Sequence, residues 1–133
     1  MKYMLDTNIC IYLIKQKPVV VLERFRQTNI SEISISSITL SELFYGVSKS
    51  SIPEKNFMAL TQFVAPLEIL PFGGEAAQYY GDLRAHLEMQ GTPIGSLDML
   101  IAAHALSIAT TLVTNNKKEF QRVPNLNIEN WVN

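Results

Sequence analysis

The stretch YMLDTN, residues 3–8, is the part of the sequence from which the fold class follows. Its first half is a short apolar run, which predicts a buried β-strand. The strand is expected to stop at Asp6, and Thr7 or Asn8 is suited to cap a helix that begins immediately afterwards. Because ligands of open α/β sheets bind beyond the carboxyl ends of the strands, this junction is a candidate functional site.

The later part of the chain repeats this alternation of a short strand with helices. One of the predicted helices is capped near Thr39, with Glu42 at the capping-box spacing, and another is capped by Ser96. Further strands are predicted at residues 33–38, 67–70, 111–114 and 127–129. The alternation predicts an α/β fold with a mostly parallel sheet flanked by helices. No internal repeat or interdomain linker is visible, so residues 1–133 are expected to form a single domain.

Composition excludes several classes of protein. A hydrophobic share of 47% with 17% charged residues is ordinary for a globular chain and argues against disorder. No apolar run approaches the roughly 18 residues that a membrane span needs, and Asp6 interrupts the apolar start where a signal peptide would continue. The single cysteine, Cys10, cannot form an internal disulfide, which favours a reducing cytoplasm as the location.

Polar residues recur at the predicted strand-to-helix junctions. Asp6 follows the first strand, Glu42 lies in the first turn after the second, Asp98 opens a strongly apolar helix, and Asn116 ends the fourth strand. Glu119 lies about one helical turn beyond Asn116. Since the carboxyl ends of parallel strands share one edge of a sheet, we expect these side chains to converge.

Convergence of carboxylates favours a bound cation. Two carboxylates about 5 Å apart at an effective dielectric of about 20 repel by roughly 3 kcal/mol, so a proton or a metal ion must compensate. Carboxylate, amide and hydroxyl oxygens are hard ligands that suit Mg²⁺ or Mn²⁺, and no Cys/His cluster exists that would hold zinc. A hard cation held in this way is fitted to phosphate esters, and hydrolysis of a phosphodiester is the leading reaction.

The net charge of −1 leaves a nucleic-acid substrate open. When the four acidic candidates are set aside, the other eight acidic residues are outnumbered by 11 basic ones. A basic rim around an acidic site is therefore compatible with the near-neutral total, although it does not by itself support a nucleic-acid partner.

Each candidate also has a structural interpretation. Asp6 is a plausible helix cap, Glu42 a capping-box acid, and Asp98 a partner for the dipole at a helix start. Two lysines beside Glu119 suggest a solvated turn, and His104 is expected to belong to the core or an interface. It is the joint pattern of acids that favours a site over these separate roles.

A second enzyme class is a phosphatase that uses Asp6 as a covalent nucleophile, as haloacid-dehalogenase-like enzymes do. The strand-Asp-Thr opening fits that class, but it requires a second Asp two residues later, where this chain has Asn8. A non-enzymatic alternative is a protein-interaction module that keeps the fold without the chemistry.

Four segments carry a resemblance to a known family. They are MLDTN at residues 4–8, ITLSELFYG at 38–46, GSLDMLIAAHA at 95–105, and LVTNN at 112–116 followed by EF at 119–120. In this order, and spanning nearly the whole chain, they resemble the PIN-domain ribonucleases, and specifically the VapC toxins of bacterial type II VapBC toxin–antitoxin systems. Any one segment is weak, whereas the four together are specific.

The resemblance implies a five-stranded parallel sheet flanked by helices, a homodimer, and an endoribonuclease that depends on Mg²⁺ or Mn²⁺. It implies that Asp6, Glu42 and Asp98 are the catalytic, metal-binding acids. Many relatives have a fourth acid where this chain has Asn116, which leaves a second metal in doubt, and Glu119 is the residue that would partly substitute. Relatives of this type cut tRNA, notably initiator tRNA in its anticodon region.

The resemblance also implies a partner protein. A VapB antitoxin would bind the toxin, occlude its site and supply the DNA-binding part of an autorepressing complex, so that operator DNA is reached only through the antitoxin. On the toxin side, Thr7 and Asn8 are expected to orient the Asp6 carboxylate or a metal-bound water. One metal is the expected number, because Asn116 carries no charge.

Overall fold

The computed structural model describes residues 2–132, in which short strands alternate with helices. The strands in this part of the chain are β1 (Tyr3–Leu5), β2 (Ile33–Ser36), β3 (Glu68–Leu70), β4 (Thr111–Val113) and β5 (Ile128–Glu129). The helices are α1 (Thr7–Lys15), α2 (Val19–Gln27), α3 (Ser37–Ser48), α4 (Pro53–Val64), α5 (Gly74–Met89), α6 (Ser96–Ser107) and α7 (Lys117–Phe120). No helix within residues 2–132 has the length and apolar character that crossing a membrane requires.

The five strands form one sheet in the order β3-β2-β1-β4-β5, and each of the four strand pairings is parallel. This confirms the predicted α/β fold with helices around a mostly parallel sheet. The central strand β1 lies between β2 and β4, so the chain continues to one side after β1 and later crosses to the other. Ligands of such sheets bind at the carboxyl end where the strand order reverses, which here is the end of β1.

Helices cover both faces of the sheet. Since successive side chains of a strand point in opposite directions, neighbouring residues of β1 pack against helices on opposite faces. Met4 belongs to an apolar cluster with Leu87 of α5 and Ile101 of α6. Leu5 belongs to a second cluster with Ile9 of α1. These side chains are almost fully buried, and the two clusters hold the central strand from both sides.

Strand β2 is shorter than predicted and buries both its isoleucines and its serines. A strand is predicted over residues 33–38, but β2 ends at Ser36 and all four of its residues are buried. The serine hydroxyls are satisfied internally: Ser34 Oγ donates to the Tyr3 carbonyl at 3.0 Å, and Ser36 Oγ accepts from the Ile38 amide at 3.1 Å. A parallel strand near the middle of a sheet is covered on both faces, and hydroxyls tolerate this when they are bonded.

Three predicted helix caps are wrong by one to three residues. Asp6, and not Thr7 or Asn8, caps α1 through its carboxylate. Ser36 caps α3, so the Thr39–Glu42 capping box does not form, and Glu42 lies in the second helical turn instead of the first.

The third case is α6, which begins at Ser96 after Gly95 as its N-cap. In the two other cases the polar side chain at the end of the strand reaches a free amide of the next helix, which for Asp6 agrees with its structural interpretation as a helix cap.

The end of the described chain is fixed against its beginning by Trp131. This indole is 1% exposed and meets the Tyr3 ring edge-on, with ring centroids 5.5 Å apart. Its Nε1 donates to Glu129 Oε1 at 2.9 Å, and Glu129 also pairs with Arg24, whose guanidinium lies over the indole. Trp131 is therefore part of the core that supports β1.

We expect Trp131→Ala to lower the free energy of unfolding by about 3–5 kcal/mol, because it removes a buried aromatic side chain and leaves a cavity beside β1. Urea unfolding of both proteins measures the difference. Met89→Ala, at a residue that is 84% exposed, is the control and should change stability by less than about 0.5 kcal/mol. Equal losses in the two variants would contradict this role of Trp131.

Candidate active site at the carboxyl edge of the sheet

Asp6 is the most buried acid of the candidate site, with 4% of its surface exposed. Its backbone N–H donates to the Val113 carbonyl at 3.0 Å, which fixes Asp6 beside the end of β4, and its Oδ1 accepts from the Ile9 amide at 2.9 Å. Burial raises the pKa of the Asp6 carboxyl, while hydrogen bonds from the Thr114 side chain and from the Ile9 and Asn8 amides act in the opposite direction. Asp6 therefore caps α1 and contributes a carboxylate to the end of β1.

Asp98 lies half-buried in the first turn of α6. Its pKa is raised to about 6, first by burial and then by the negative charges of Glu119, Asp6 and Glu42. Acids from three other segments of the chain therefore act electrostatically on Asp98 at this edge of the sheet.

Glu119 is held in this group by two hydrogen bonds. Its Oε1 accepts from the Gly95 amide at 3.1 Å, and its Oε2 accepts from the side-chain amide of Asn116. The bond from Asn116, followed by that from Gly95, lowers the pKa of the Glu119 carboxyl. The lysines of this turn are exposed, as the sequence suggested, while the two hydrogen bonds hold the Glu119 carboxylate beside Gly95 and Asn116.

Glu42 approaches the site from α3, on the other side of the sheet edge. It lines a cleft of about 350 Å³ between α1, α3 and α4, together with Ile11, Lys15 and Leu60. Its charge acts on Asp98 less strongly than those of Glu119 and Asp6 do. The exposed Lys15 lies along the same cleft as Glu42.

Thr114 is a site residue that the sequence interpretation missed. It is fully buried just beyond β4, its side chain hydrogen-bonds the Asp6 carboxylate, and its Oγ1 accepts from the Asn116 amide at 2.9 Å. By contrast, Thr7 Oγ1 is buried without a hydrogen-bond partner in the described part of the chain, and Asn8 contributes its backbone amide. The sequence feature that could have identified Thr114 is its position at the end of β4, the strand beside β1 and Asp6.

The donor set fits a hard divalent cation, although the carboxylates do not form a closed cage. Within residues 2–132 no three His, Cys, Asp or Glu side chains lie close enough together to enclose an ion by themselves. Mg²⁺ usually takes one or two carboxylates and keeps several waters, so a more open group of acids suits it. The raised pKa of Asp98 indicates negative charge that a cation would balance.

We expect the pH dependence of stability to report on Asp98 in the metal-free protein. Because its pKa is raised from 3.8 to about 6, the folded state binds this proton more tightly, so the contribution is fully present below about pH 4 and is lost as the pH rises through 6. Relative to Asp98→Asn, the wild type should lose about 1 kcal/mol between pH 4 and 7.5, after allowance for water around a half-buried group.

Urea unfolding at several pH values in the presence of a chelator measures this difference. Asp82→Asn, at an exposed acid on α5, is the matched control and should follow the wild-type profile. Parallel profiles for the wild type and Asp98→Asn would contradict the proximity of the four acids.

Comparison with known proteins identifies the family. The PIN domain family matches residues 3–126 of this chain. The chain is 48% identical over 131 residues to the tRNA(fMet)-specific endonuclease VapC of Salmonella typhimurium, and 52% identical over 134 residues to the ribonuclease VapC2 of Rickettsia felis. In both cases the match covers 98% of this chain and 98% of the relative.

Solved structures show the same fold. The chain is similar to one in DNA-bound VapBC from Salmonella typhimurium, with a TM-score of 0.94, 48% identity and 98% of each chain covered. It is also similar to one in VapBC2 from Rickettsia felis bound to a promoter fragment, with a TM-score of 0.91, 49% identity, and 98% and 99% of the two chains covered. The chain therefore belongs to the PIN-domain family, and within it to the VapC proteins of VapBC toxin–antitoxin systems.

Proposed function

We propose that this chain is the toxin of a type II toxin–antitoxin pair and acts as a metal-dependent endoribonuclease that hydrolyses phosphodiester bonds in tRNA. The observation that carries the proposal is the group of acids around Asp98 at the end of the central strand. The names of relatives at 48% identity and above, which describe ribonucleases and a tRNA(fMet)-specific endonuclease, support the same reaction.

Asp6 and Asp98 are proposed to hold one Mg²⁺ or Mn²⁺ ion, with Glu42 as the third acid of the site. When bound, the cation would polarise the scissile phosphate and activate a water for attack on phosphorus. Asn116 carries no charge and is engaged with Glu119, which favours one ion over two. The carboxylate and amide oxygens of this group are of the kind that these ions prefer.

The protein's own groups supply orientation and charge. Thr114 and the Ile9 amide hold the Asp6 carboxylate in one orientation, and Gly95 with Asn116 keeps Glu119 ionised beside Asp98. Outer partners of this kind commonly set the geometry and basicity of the groups that they contact. Lys15, on the cleft that Glu42 lines, is suited to hold an RNA phosphate next to the acids.

We expect Asp6→Asn to lower RNA cleavage by at least about 100-fold and to abolish growth inhibition, since it removes a charge that the site requires. The fold should survive, because asparagine also caps helices well and keeps an acceptor for the Ile9 amide. Cleavage assays with Mg²⁺ or Mn²⁺, and again with a chelator, measure the effect.

Asp82→Asn is the control for this experiment and should leave cleavage unchanged. Full activity in Asp6→Asn, or activity that persists in the chelator, would overturn the proposed mechanism. The non-enzymatic interaction module is the function that remains if neither the wild type nor any variant acts on RNA in the presence of Mn²⁺.

The proposed substrate is initiator tRNA, cut in its anticodon region. Sequencing of the new RNA ends after induction of the protein tests this directly. A single dominant cut in that tRNA is the expected result, whereas cuts distributed over messenger and ribosomal RNA would contradict it.

The proposed partners are a VapB antitoxin, which would occlude the site and make the contacts with operator DNA, and a second copy of the chain in a homodimer. The VapBC complexes among the similar structures, two of them bound to DNA, support the first of these partners. We further propose that the chain acts in the cytoplasm as a single domain, which is consistent with a buried unpaired Cys10 and with one sheet that joins early and late strands.

The phosphatase alternative finds no support in the geometry of Asp6. A covalent nucleophile has to reach its substrate, but this carboxylate is 4% exposed and accepts a hydrogen bond from the Ile9 amide. No second function is proposed on that basis.

A further inference from the structure

A buried histidine links the two helices that carry Glu42 and Asp98. His104 lies on α6, is 2% exposed, and its Nδ1 lies 2.7 Å from Ser36 Oγ. Ser36 is fully buried at the end of β2, where it caps α3. Neither residue belongs to the group of acids, so the proposed chemistry does not account for this contact.

The hydroxyl of Ser36 has the capacity for both of its contacts. A serine hydroxyl donates one hydrogen bond and accepts two, and here it already accepts from the Ile38 amide at 3.1 Å. Burial lowers the pKa of His104, which favours the neutral imidazole, and either neutral tautomer completes a bond to Ser36. The cap of α3 and the side chain from α6 thus meet at a single oxygen atom.

A neighbouring contact restrains the same turn. Ser37 Oγ accepts from the Phe72 amide at 3.0 Å, and the Phe72 ring meets the His104 ring edge-on with centroids 5.5 Å apart. The start of α3 is therefore fixed against α6 and against the segment that follows β3. A purely apolar contact would not restrain the cap of α3 in this way, since it provides no directional bond.

The positions of the acids along their helices give this contact its significance. Glu42 comes six residues after Ser36, and Asp98 comes six residues before His104, so each acid lies about 9 Å along its helix from the shared hydrogen bond. At that distance, a rotation of about 6° at the contact would move an acid by about 1 Å. Displacements of this size lower catalytic rates by up to about 100-fold.

We propose that His104 is a positioning residue, which through Ser36 fixes the start of α3 against α6 and thereby sets the separation of Glu42 from Asp98. The inference rests on the proposed function only in assigning those two acids to catalysis. The competing explanation is that His104 merely fills the core, in which case an apolar side chain of similar size should serve equally well.

The test compares His104→Leu, which removes the hydrogen bond, with His104→Asn, which places an amide near the position of Nδ1. We expect His104→Leu to lower kcat for RNA cleavage and to weaken Mn²⁺ binding, each by about tenfold or more, with little change in KM. His104→Asn should restore both towards wild type. Mn²⁺ affinity is read from the electron paramagnetic resonance signal of the free ion, independently of cleavage.

Two further variants separate positioning from packing. Ile101→Val, a small truncation of a buried residue on the same helix, should lower the urea midpoint of unfolding without changing kcat or Mn²⁺ affinity. Ser36→Ala should reproduce the loss seen in His104→Leu, and the double variant should be no worse than either single one, because one contact is removed in each case.

The proposal is overturned if His104→Leu binds Mn²⁺ and cleaves RNA as the wild type does, or if Ile101→Val loses as much as His104→Leu. If the wild type itself neither binds Mn²⁺ nor cleaves RNA, the proposed function fails, and amide hydrogen exchange of metal-free protein then decides the positioning role. Faster exchange at Ile38 in His104→Leu, reversed in His104→Asn, supports the role, and unchanged exchange overturns it.

Discussion

Unbalanced negative charge at the carboxyl end of β1 is the constraint on which the other features of the site depend. Three acids act on Asp98 there, and its pKa rises to about 6 as a result of burial and of these acidic neighbours. The carboxylates of this group repel one another, so the apolar clusters on both faces of the sheet have to hold the strand and helix ends in place. The hydrogen bonds to Asp6 and Glu119 then stabilise the charged forms locally.

The sequence predicted the features of the site that follow from the geometry of a parallel sheet. Alternating strands and helices predict a parallel sheet, and a parallel sheet gathers its strand ends at one edge. Asp6 lies at that edge for this reason, whereas α6, which carries Asp98, follows α5 with no strand between them, so the rule does not account for the position of Asp98. Glu42 was predicted to lie in the first turn of α3. It lies in the second turn, because the N-cap of α3 is Ser36.

The sequence did not predict the features of the site that depend on single tertiary contacts. Thr114 looks like any strand-end threonine until the fold brings it across the sheet to Asp6, and Glu119 looks solvated until Gly95 and Asn116 bind it. The serines of β2 alternate with isoleucines, a pattern that ordinarily marks a strand with one exposed face. In a strand covered on both faces, a hydroxyl bonded to a nearby carbonyl is tolerated inside, and the pattern then has no predictive value.

The contact between Tyr3 and Trp131 has a consequence for the order in which the molecule is made. The ribosome synthesises β1 first, yet its neighbour β4, the Thr114 that binds Asp6 and the indole that covers Tyr3 all come from the last quarter of the chain. Contacts of such long sequence separation form only after both segments have emerged. The acidic site therefore assembles only after β4 and the residues that follow it have been synthesised.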